Sequence, residues 1–482
     1  MTKLEQILKE TNFIEVKGSR NIDITGITCN SREVVAGSIF VCIKGFKTDG
    51  HKYLADAVKN GAVCAVVTDD ISCPEITTVK VENARFAMAQ MASSFYGHPS
   101  RDIKVIGVTG TNGKTTTTHL IQSIIEMAGK KTGLIGTNSI VIAGKAVDSE
   151  RTTPESYLFQ KYLREMADSG AQYCITEVSS HSLELERVAC TKFAVAAFTN
   201  LTHEHLDLHG SMENYAAAKA KLFEMCDIAI MNSDDEYSRK IATNSSCKTI
   251  YTYSVENAKS DFFASDIKLS EKGIIYTLNH KKESYLLKSH IPGKFNVYNS
   301  LAAASVCSAL GFSEDEIAKG LIISRGAKGR AEFVRVSAPF GVMIDYAHTP
   351  DGLEKILTTV KEFVSGRIIT VFGAPGDRDR TKRPEMGNIA GKYSSFCIIT
   401  SDNPASENAE DIINEIKPGM IESGCEFAEI VDRREAIHFA LGMAKEGDIV
   451  LLAGKGHETY QITKEGKIPF CEEQIVKEYF SR

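Results

Sequence analysis

Hydrophobic and polar positions along this chain follow two rhythms. In the last third, short and nearly continuous apolar runs stand at 342–344, 368–372, 396–400 and 449–453. Between the first two, Leu353, Ile356, Leu357, Val360, Phe363 and Val364 repeat at helical spacing up to Gly366. Apolar strands separated by amphipathic helices predict a parallel sheet covered on both faces. Each run passes directly into a polar loop: 345–348, 373–383, 402–404 and 454–458. In open α/β sheets ligands bind beyond the carboxyl ends of the strands, so these loops predict one shared site.

The first hundred residues alternate strand-like runs at 38–43, 62–68 and 77–81 with helical segments. The last helix, 84–96, carries Ala84, Met88, Met91 and Phe95 on one face. The turn formers Gly97-His98-Pro99-Ser100-Arg101-Asp102 then predict a boundary. An apolar strand at 103–108 opens a second unit, which includes a helix rich in small residues at 295–310. That unit ends in the basic, glycine-punctuated stretch 324–330. The expected fold is α/β in three domains: a smaller N-terminal α/β domain over 1–98, a central P-loop ATPase domain over 99–329 and a Rossmann-like domain over 330–482.

Composition agrees. The length of 482 residues suits about three domains at ~150 residues each. An apolar share of 43% with 24% charged residues excludes a largely disordered chain. Fifty-six basic against 62 acidic residues, a net charge of −6, argues against a dedicated nucleic-acid binder. Twelve cysteines, none within four residues of another, suggest scattered buried thiols in a reducing compartment, not a disulfide or metal framework. The N-terminus has no signal-peptide core, and no apolar run nears the ~18 residues of a membrane span. A cytoplasmic protein is expected, with no membrane insertion.

The sharpest chemical signal is Thr109-Gly110-Thr111-Asn112-Gly113-Lys114-Thr115-Thr116 between the 103–108 strand and a helix bearing Leu120, Ile121, Ile124 and Ile125. Glycines let backbone N–H groups converge on phosphate oxygens, the helix N-terminus adds partial positive charge, and Lys114 neutralises the outer phosphates. Val108 stands where the strict P-loop pattern has glycine. Strand, loop, helix and the Lys-Thr pair nevertheless point to an ATP site, with the Thr115 hydroxyl toward Mg²⁺.

Glu177 ends a strand that begins at Tyr173, and reads either as a Mg²⁺ contact or as a strand-end surface carboxylate. His203, Glu204, His205 and Asp207 cluster without the spacing of a zinc site. Lys219, in an alanine-rich helix over 215–223, reads by itself as a solvated lysine.

Together these segments resemble the Mur ligase family of ATP-dependent peptide synthetases of cell-wall synthesis, in particular the branch that adds the third peptide residue. The resemblance covers essentially the whole chain. It runs through Asn30-Ser31-Arg32, Asp49-Gly50-His51, the phosphate loop, Arg151-Thr152-Thr153-Pro154, 177–181 and 200–207. It continues through Ala218-Lys219, Asn296-Val297-Tyr298-Asn299, 345–348, 376–379 and 454–458.

The resemblance implies that ATP phosphorylates the terminal carboxylate of UDP-MurNAc-L-Ala-D-Glu and that the amine of a diamino acid attacks the acyl phosphate. It implies UDP contact at Ser31, and muramoyl-dipeptide contact at Thr152, Thr153, Ser179 and Arg187. Mg²⁺ would be held by Thr115, Glu177, His205 and a carbamylated Lys219, which overturns the solvated reading of that lysine. Nucleotide contact is implied for Asn296, Asn299, Arg330, Asp345 and His348 on domain closure. The oligomeric expectation is a monomer. Asn30 and Glu204 stand where the family usually has aspartate, which leaves room for a catalytically silent paralogue. A folylpolyglutamate-type sibling would share the phosphate loop but would not be expected to carry Ser31-Arg32 or the 402–404 loop.

The amino-acid site would comprise Arg383, Asp402, Asn403, Ala405, Gly454 and Glu458. In the diaminopimelate enzymes an arginine follows the Asp-Asn-Pro loop and clamps the distal carboxylate in bidentate fashion, which a shorter side chain cannot do. Here that position is Ala405, as in the L-lysine enzymes. Arg383 would take the α-carboxylate and Glu458 the amine. Gly454-Lys455-Gly456-His457-Glu458 looks more like the diaminopimelate type. The balance favours L-lysine, with meso-2,6-diaminopimelate as the alternative.

Overall fold

A computed structural model describes residues 2–481, apart from 46, 47, 72, 148–150, 203–208 and 244. The chain divides into two compact units: residues 1–262 with 302–317, and residues 263–301 with 318–482.

The first unit carries two large sheets, besides a short antiparallel pairing of Thr2–Lys3 with Asp23–Ile24. The N-terminal one is formed by β1 (Glu15–Lys17), β2 (Gly26–Thr28), β3 (Ser38–Val41), β4 (Ala62–Val67) and β5 (Thr77–Lys80). Its spatial order is β1-β5-β4-β3-β2, parallel except for β1 at the edge. Helix α1 (Leu54–Lys59) precedes β4, and helix α2 (Ala84–Phe95) follows β5. Asn83 caps α2 by accepting from the Arg85 and Phe86 N–H groups, and Ala84, Ala87, Met88, Met91 and Ala92 are buried on one side of it.

The second sheet begins with β6 (Lys104–Thr109), which leads into helix α3 (Lys114–Met127). Then come β7 (Thr132–Ile135), β8 (Ile140–Ile142), β9 (Lys145–Val147), α4 (Ser156–Asp168) and β10 (Tyr173–Glu177). After these follow α5 (Ser180–Glu184), β11 (Phe193–Phe198), α6 (Met212–Ala220), β12 (Cys226–Asn232) and β13 (Thr249–Ser254). Their order is β9-β8-β7-β10-β6-β11-β12-β13, with β6 between β10 and β11 in a parallel core. The β6 strand is buried from Val105 to Thr109, as expected for a central parallel strand. Its carboxyl end lies beside those of β10 and β11, so the loops after all three share one edge.

In the second unit, the hairpin β14 (Gly273–His280) and β15 (Glu283–Ser289) precedes helix α7 (Lys294–Ala309), whose residues up to 301 belong to this unit and the rest to the first. Residues 332–453 then form a six-stranded sheet. Its strands are β16 (Glu332–Phe333), β17 (Gly341–Asp345), β18 (Ile368–Phe372), β19 (Phe396–Ile399), β20 (Phe427–Glu429) and β21 (Ile449–Ala453), in the order β16-β17-β21-β18-β19-β20. All pairings are parallel except that of β16. Helices α8 (Pro350–Lys361), α9 (Lys382–Tyr393), α10 (Ala409–Ser423) and α11 (Arg433–Met443) connect the strands. Pro350 stands at the first turn of α8, where a missing N–H costs nothing, and Thr349 caps it. Two apolar layers cover the faces, one around Leu353, Leu357, Phe372 and Ile416, the other around Ile344, Ile369, Ile437 and Leu452. A final hairpin, β22 (Tyr460–Thr463) and β23 (Gly466–Pro469), precedes helix α12 (Glu472–Phe480).

The apolar runs at 368–372 and 449–453 coincide with β18 and β21. All twelve cysteines are free thiols, but the expectation of burial holds for five of them; six are half-buried and Cys190 is exposed. Among the described residues, no helix is long and apolar enough to cross a membrane.

Candidate active site

In the first unit the loop after β6 wraps back on itself. Gly110 has φ +151°, and a Cβ there would come within 1.9 Å of the Thr199 hydroxyl, so only glycine fits. The Lys114 ammonium donates to the carbonyls of Gly110 (2.9 Å) and Thr111 (2.8 Å), which holds the loop closed over the start of α3. Thr115 and Thr116 are buried in the first turn of that helix. The Asn112 N–H donates to Asn200 Oδ1 (2.9 Å), and the Thr199 hydroxyl donates to the Asn112 carbonyl (2.6 Å), so the 199–200 segment braces the loop.

Glu177, at the end of β10, is buried against this loop, not spread on the surface. Its Oε2 accepts from the Thr115 hydroxyl (3.0 Å) and the Thr137 hydroxyl (3.1 Å), and its Oε1 from the Thr137 N–H (2.8 Å). The Thr137 hydroxyl lies 3.0 Å from that of Thr152. Thr153 donates to the Glu177 carbonyl (2.8 Å), while Ser179 caps α5 by accepting from the Ser182 N–H (3.1 Å). Arg187 donates to the Thr153 carbonyl (3.2 Å) and pairs with Glu155 (3.1 Å). The structure therefore brings Lys114, Thr115, Glu177, Thr152, Thr153, Ser179 and Arg187 into one connected edge.

Lys219 belongs to the same edge. Its side chain is 1% exposed, its ammonium donates to the Gly110 carbonyl (2.9 Å), and it lies 4.5 Å from the centre of the Tyr215 ring. That ring stacks on His209 (4.8 Å), whose Nε2 is 2.9 Å from the Ser180 hydroxyl. An alanine-rich helix is what admits the lysine, because Ala216, Ala218 and Ala220 let the backbone of α6 pack closely. His119, one turn into α3, places Nδ1 2.8 Å from the Thr115 carbonyl, and burial lowers its pKa. His203, Glu204, His205 and Asp207 lie outside the described residues.

Sequence reasoning missed Thr137 and Glu155. Neither belongs to a segment read above, and each has decisive partners far along the chain, Glu177 for Thr137 and Arg85 and Arg187 for Glu155. Ser31 lies in the short turn Ser31–Glu33, its carbonyl accepting from Asn60 (2.9 Å). Asn30 caps that turn by accepting from the Arg32 N–H (3.1 Å), the role an aspartate would fill there.

In the second unit the carboxyl ends of β17, β19 and β21 lead into Asp345–His348, Asp402–Ala405 and Gly454–Glu458, while Asn296 and Asn299 stand in α7, Arg330 just before β16 and Arg383 in α9. Asp345 is buried, accepting from the N–H groups of Ala331 (2.7 Å) and Ala347 (2.8 Å); burial pushes its carboxyl pKa up against the pull of Arg330. The Arg330 guanidinium lies 4.8 Å from the Tyr346 ring centre, and His348 Nδ1 is 2.7 Å from the Tyr346 carbonyl. Asn296 donates to the Pro292 carbonyl (2.7 Å), and Asn299 to Asn296 Oδ1 (3.0 Å).

Asn403 Nδ2 donates to Glu458 Oε2 (2.9 Å), and buried Lys455 donates to both Asn403 Oδ1 (2.7 Å) and Glu458 Oε2 (2.6 Å). Glu458, expected to meet a substrate amine, is thus already matched by an internal ammonium. Ala405 adopts φ +53° and donates its N–H to Ile462 (3.0 Å). Gly454, with φ +117°, lies so close to Asp402 that a Cβ would fall 2.2 Å from Oδ2.

Arg383, expected to take an α-carboxylate, is 1% exposed. It is bidentate to Glu407 (2.9 and 2.8 Å), with a further bond to Glu415 (2.7 Å). This guanidinium holds Glu407 at a pKa of about 2, down from 4.5. A depressed carboxyl contributes stability above its unfolded pKa and loses it as pH falls through the folded value. Glu407→Gln is therefore expected to narrow the stability difference between pH 7 and ~2.5, read by urea midpoints at both pH values.

Segments of the chain match three family models: Mur ligase family, catalytic domain, over residues 23–96; Mur ligase middle domain over 108–307; and Mur ligase, glutamate ligase domain, over 329–456. The protein named UDP-N-acetylmuramoyl-L-alanyl-D-glutamate–2,6-diaminopimelate ligase in Caldanaerobacter subterraneus subsp. tengcongensis is 47% identical over 480 residues, which cover 99% of this chain and 98% of that one. The chain belongs to the Mur ligase family. A protein of the same name in Clostridioides difficile is 45% identical over the full length of both chains. A solved structure of a ligase of that name superimposes with a TM-score of 0.73 at 31% identity, covering 100% of this chain and 99% of that one. The chain is an ATP-dependent amino-acid ligase of peptidoglycan synthesis, with the mixed α/β architecture of the family.

Proposed function

We propose that this ligase extends UDP-N-acetylmuramoyl-L-alanyl-D-glutamate by one diamino acid, meso-2,6-diaminopimelate. The observation that carries the reading is the buried edge of Lys114, Thr115, Glu177 and Lys219 around the phosphate loop, in a chain matched end to end by ligases bearing that name. On this reading residues 1–98 hold the UDP-sugar through Ser31, residues 99–329 bind ATP, and residues 330–482 receive the amino acid. Thr152, Thr153, Ser179 and Arg187 line the dipeptide's place.

The substrate carboxylate attacks the outermost phosphorus of ATP, the bond to the bridging oxygen breaks, and ADP leaves. The amine then forms a C–N bond as phosphate departs and the nitrogen gives up a proton. Lys114 and the loop N–H groups offset the charge that gathers in the first step. Thr115 Oγ1, in the first turn of α3, and Glu177 Oε2, at the end of β10, are hard oxygen donors 3.0 Å apart and would suit Mg²⁺, which Lys219 could help to hold only as a carbamate. When bound, Mg²⁺ supplies neutralisation of the phosphate charge.

A second reading, addition of L-lysine, is favoured by Ala405, which offers no guanidinium to a distal carboxylate. A panel of purified enzyme, muramoyl-dipeptide, ATP and either amine separates the two. Mass spectrometry is expected to find the lengthened product with diaminopimelate, and product with lysine alone would transfer the assignment to the second reading. No product with any diamino acid would sink both and leave a silent nucleotide-binding paralogue.

A further inference from the structure

Arg433, the first residue of α11, is fully buried, with its side chain 0% exposed. It reaches across the carboxyl edge of the second unit's sheet. Nη2 donates to the Ala453 carbonyl (2.7 Å), where β21 ends, and Nη1 to the Ser401 carbonyl (3.4 Å), just past β19. Those strands are not neighbours, because β18 lies between them. Nε donates to Glu472 Oε1 (2.9 Å), at the start of α12. Asp402 and Gly454–Glu458 follow directly from the two carbonyls that the guanidinium grips. Gln461 adds a second tie, donating to the Ser401 hydroxyl (3.1 Å) and the Asp402 carbonyl (2.6 Å).

Such an ion pair is a poor source of stability, since the desolvation of both charges offsets most of their attraction. Burial pushes the Glu472 carboxyl pKa up against the pull of Arg433. Its Oε2, like Asp402 Oδ2, has no hydrogen-bond partner among the described residues, so the cluster is not fully satisfied for stability's sake. What the planar, forked guanidinium supplies is geometry, since one rigid group fixes two strand ends at a set separation.

We propose that the Arg433–Glu472 pair is a positioning device for the amino-acid subsite, setting the spacing between the Asp402–Asn403 loop and the Gly454–Glu458 loop. The proposal rests on the reading that residues 330–482 receive the amino acid. Neither residue touches the substrate; both act through the strand ends.

The test is steady-state kinetics of the full chain with Arg433→Lys and Glu472→Gln, varying each substrate in turn and following thermal unfolding. Both variants are expected to raise KM for the amino acid on the order of 10- to 100-fold, the scale of a misplaced binding group, while kcat and KM for ATP stay within about twofold. Arg433→Lys should be the more severe, because an ammonium cannot span both carbonyls. Folded variants with unchanged amino-acid KM would overturn the proposal. So would a parallel loss in all three substrates with a lowered unfolding temperature, or failure of both variants to fold, since either marks a purely structural pair. Wild-type enzyme run alongside separates this from failure of the ligase reading, which would leave wild type itself without turnover.

Discussion

Replacing Lys114 with methionine is expected to lower kcat by roughly 10²–10³-fold, the size of effect seen when one preorganised donor is removed from a transition state. The side chain is suited to two tasks. Its ammonium closes the loop by donating to the Gly110 and Thr111 carbonyls, and it brings a full positive charge to the place where the helix N-terminus of α3 offers only partial charge. Methionine keeps the length and apolar stem but removes both hydrogen bonds and the charge. The fold should survive, because the strand and helix on either side are held by buried residues such as Val105, Ile106, Leu120 and Ile121. Phosphate release in the presence of both co-substrates, set against an unchanged unfolding temperature, is the measurement. A drop of less than about threefold would remove Lys114 from the chemistry.

The strands around the phosphate loop and those of the C-terminal sheet were legible because burial on both faces forces near-continuous apolar runs, and such runs stand out in any chain. The loop itself was legible because only glycine tolerates the close approach at Gly110 and because a lysine and a threonine follow it at helix-start spacing. Glu177 could not be decided from sequence: a strand-end carboxylate looks the same whether it faces solvent or Thr115. Thr137, Glu155 and the Arg433–Glu472 pair were invisible for a related reason. Their meaning lies in partners 15 to 40 positions away or more, such as Glu177 for Thr137 and Arg85 for Glu155, and a polar residue alone does not announce its partner. Arg383 shows the same limit from the other side. The resemblance assigned it to a substrate α-carboxylate, and folding encloses its guanidinium with Glu407 and Glu415. The choice of amino acid turns on one small side chain, Ala405, whose absence of a contact says less than a contact would.

Lys219→Ala is expected to take turnover down by about 10³-fold or more, the scale of losing a group that acts as part of a catalytic unit. An unmodified lysine here is hard to explain on stability alone. It is 1% exposed and donates to the Gly110 carbonyl beside the Tyr215 ring, so desolvation of its charge is a standing cost. Conversion to a carbamate by CO₂ reverses the sign, and would supply two hard oxygens at the Gly110 side of the phosphate loop, where a cation beside bound phosphates is suited. Two measurements distinguish this account from a packing role. Short carboxylic acids should partly restore turnover to Lys219→Ala, because they can occupy the vacated space and return the missing oxygens; they should do nothing for Lys219→Met, which fills it. Wild type equilibrated with isotopically labelled CO₂ should give a carbamate resonance that both variants lack. Rescue of neither variant, together with no such resonance in wild type, would leave Lys219 as an ammonium that only shapes the loop through Gly110, and the loss of turnover would then have to track a loss of ATP affinity.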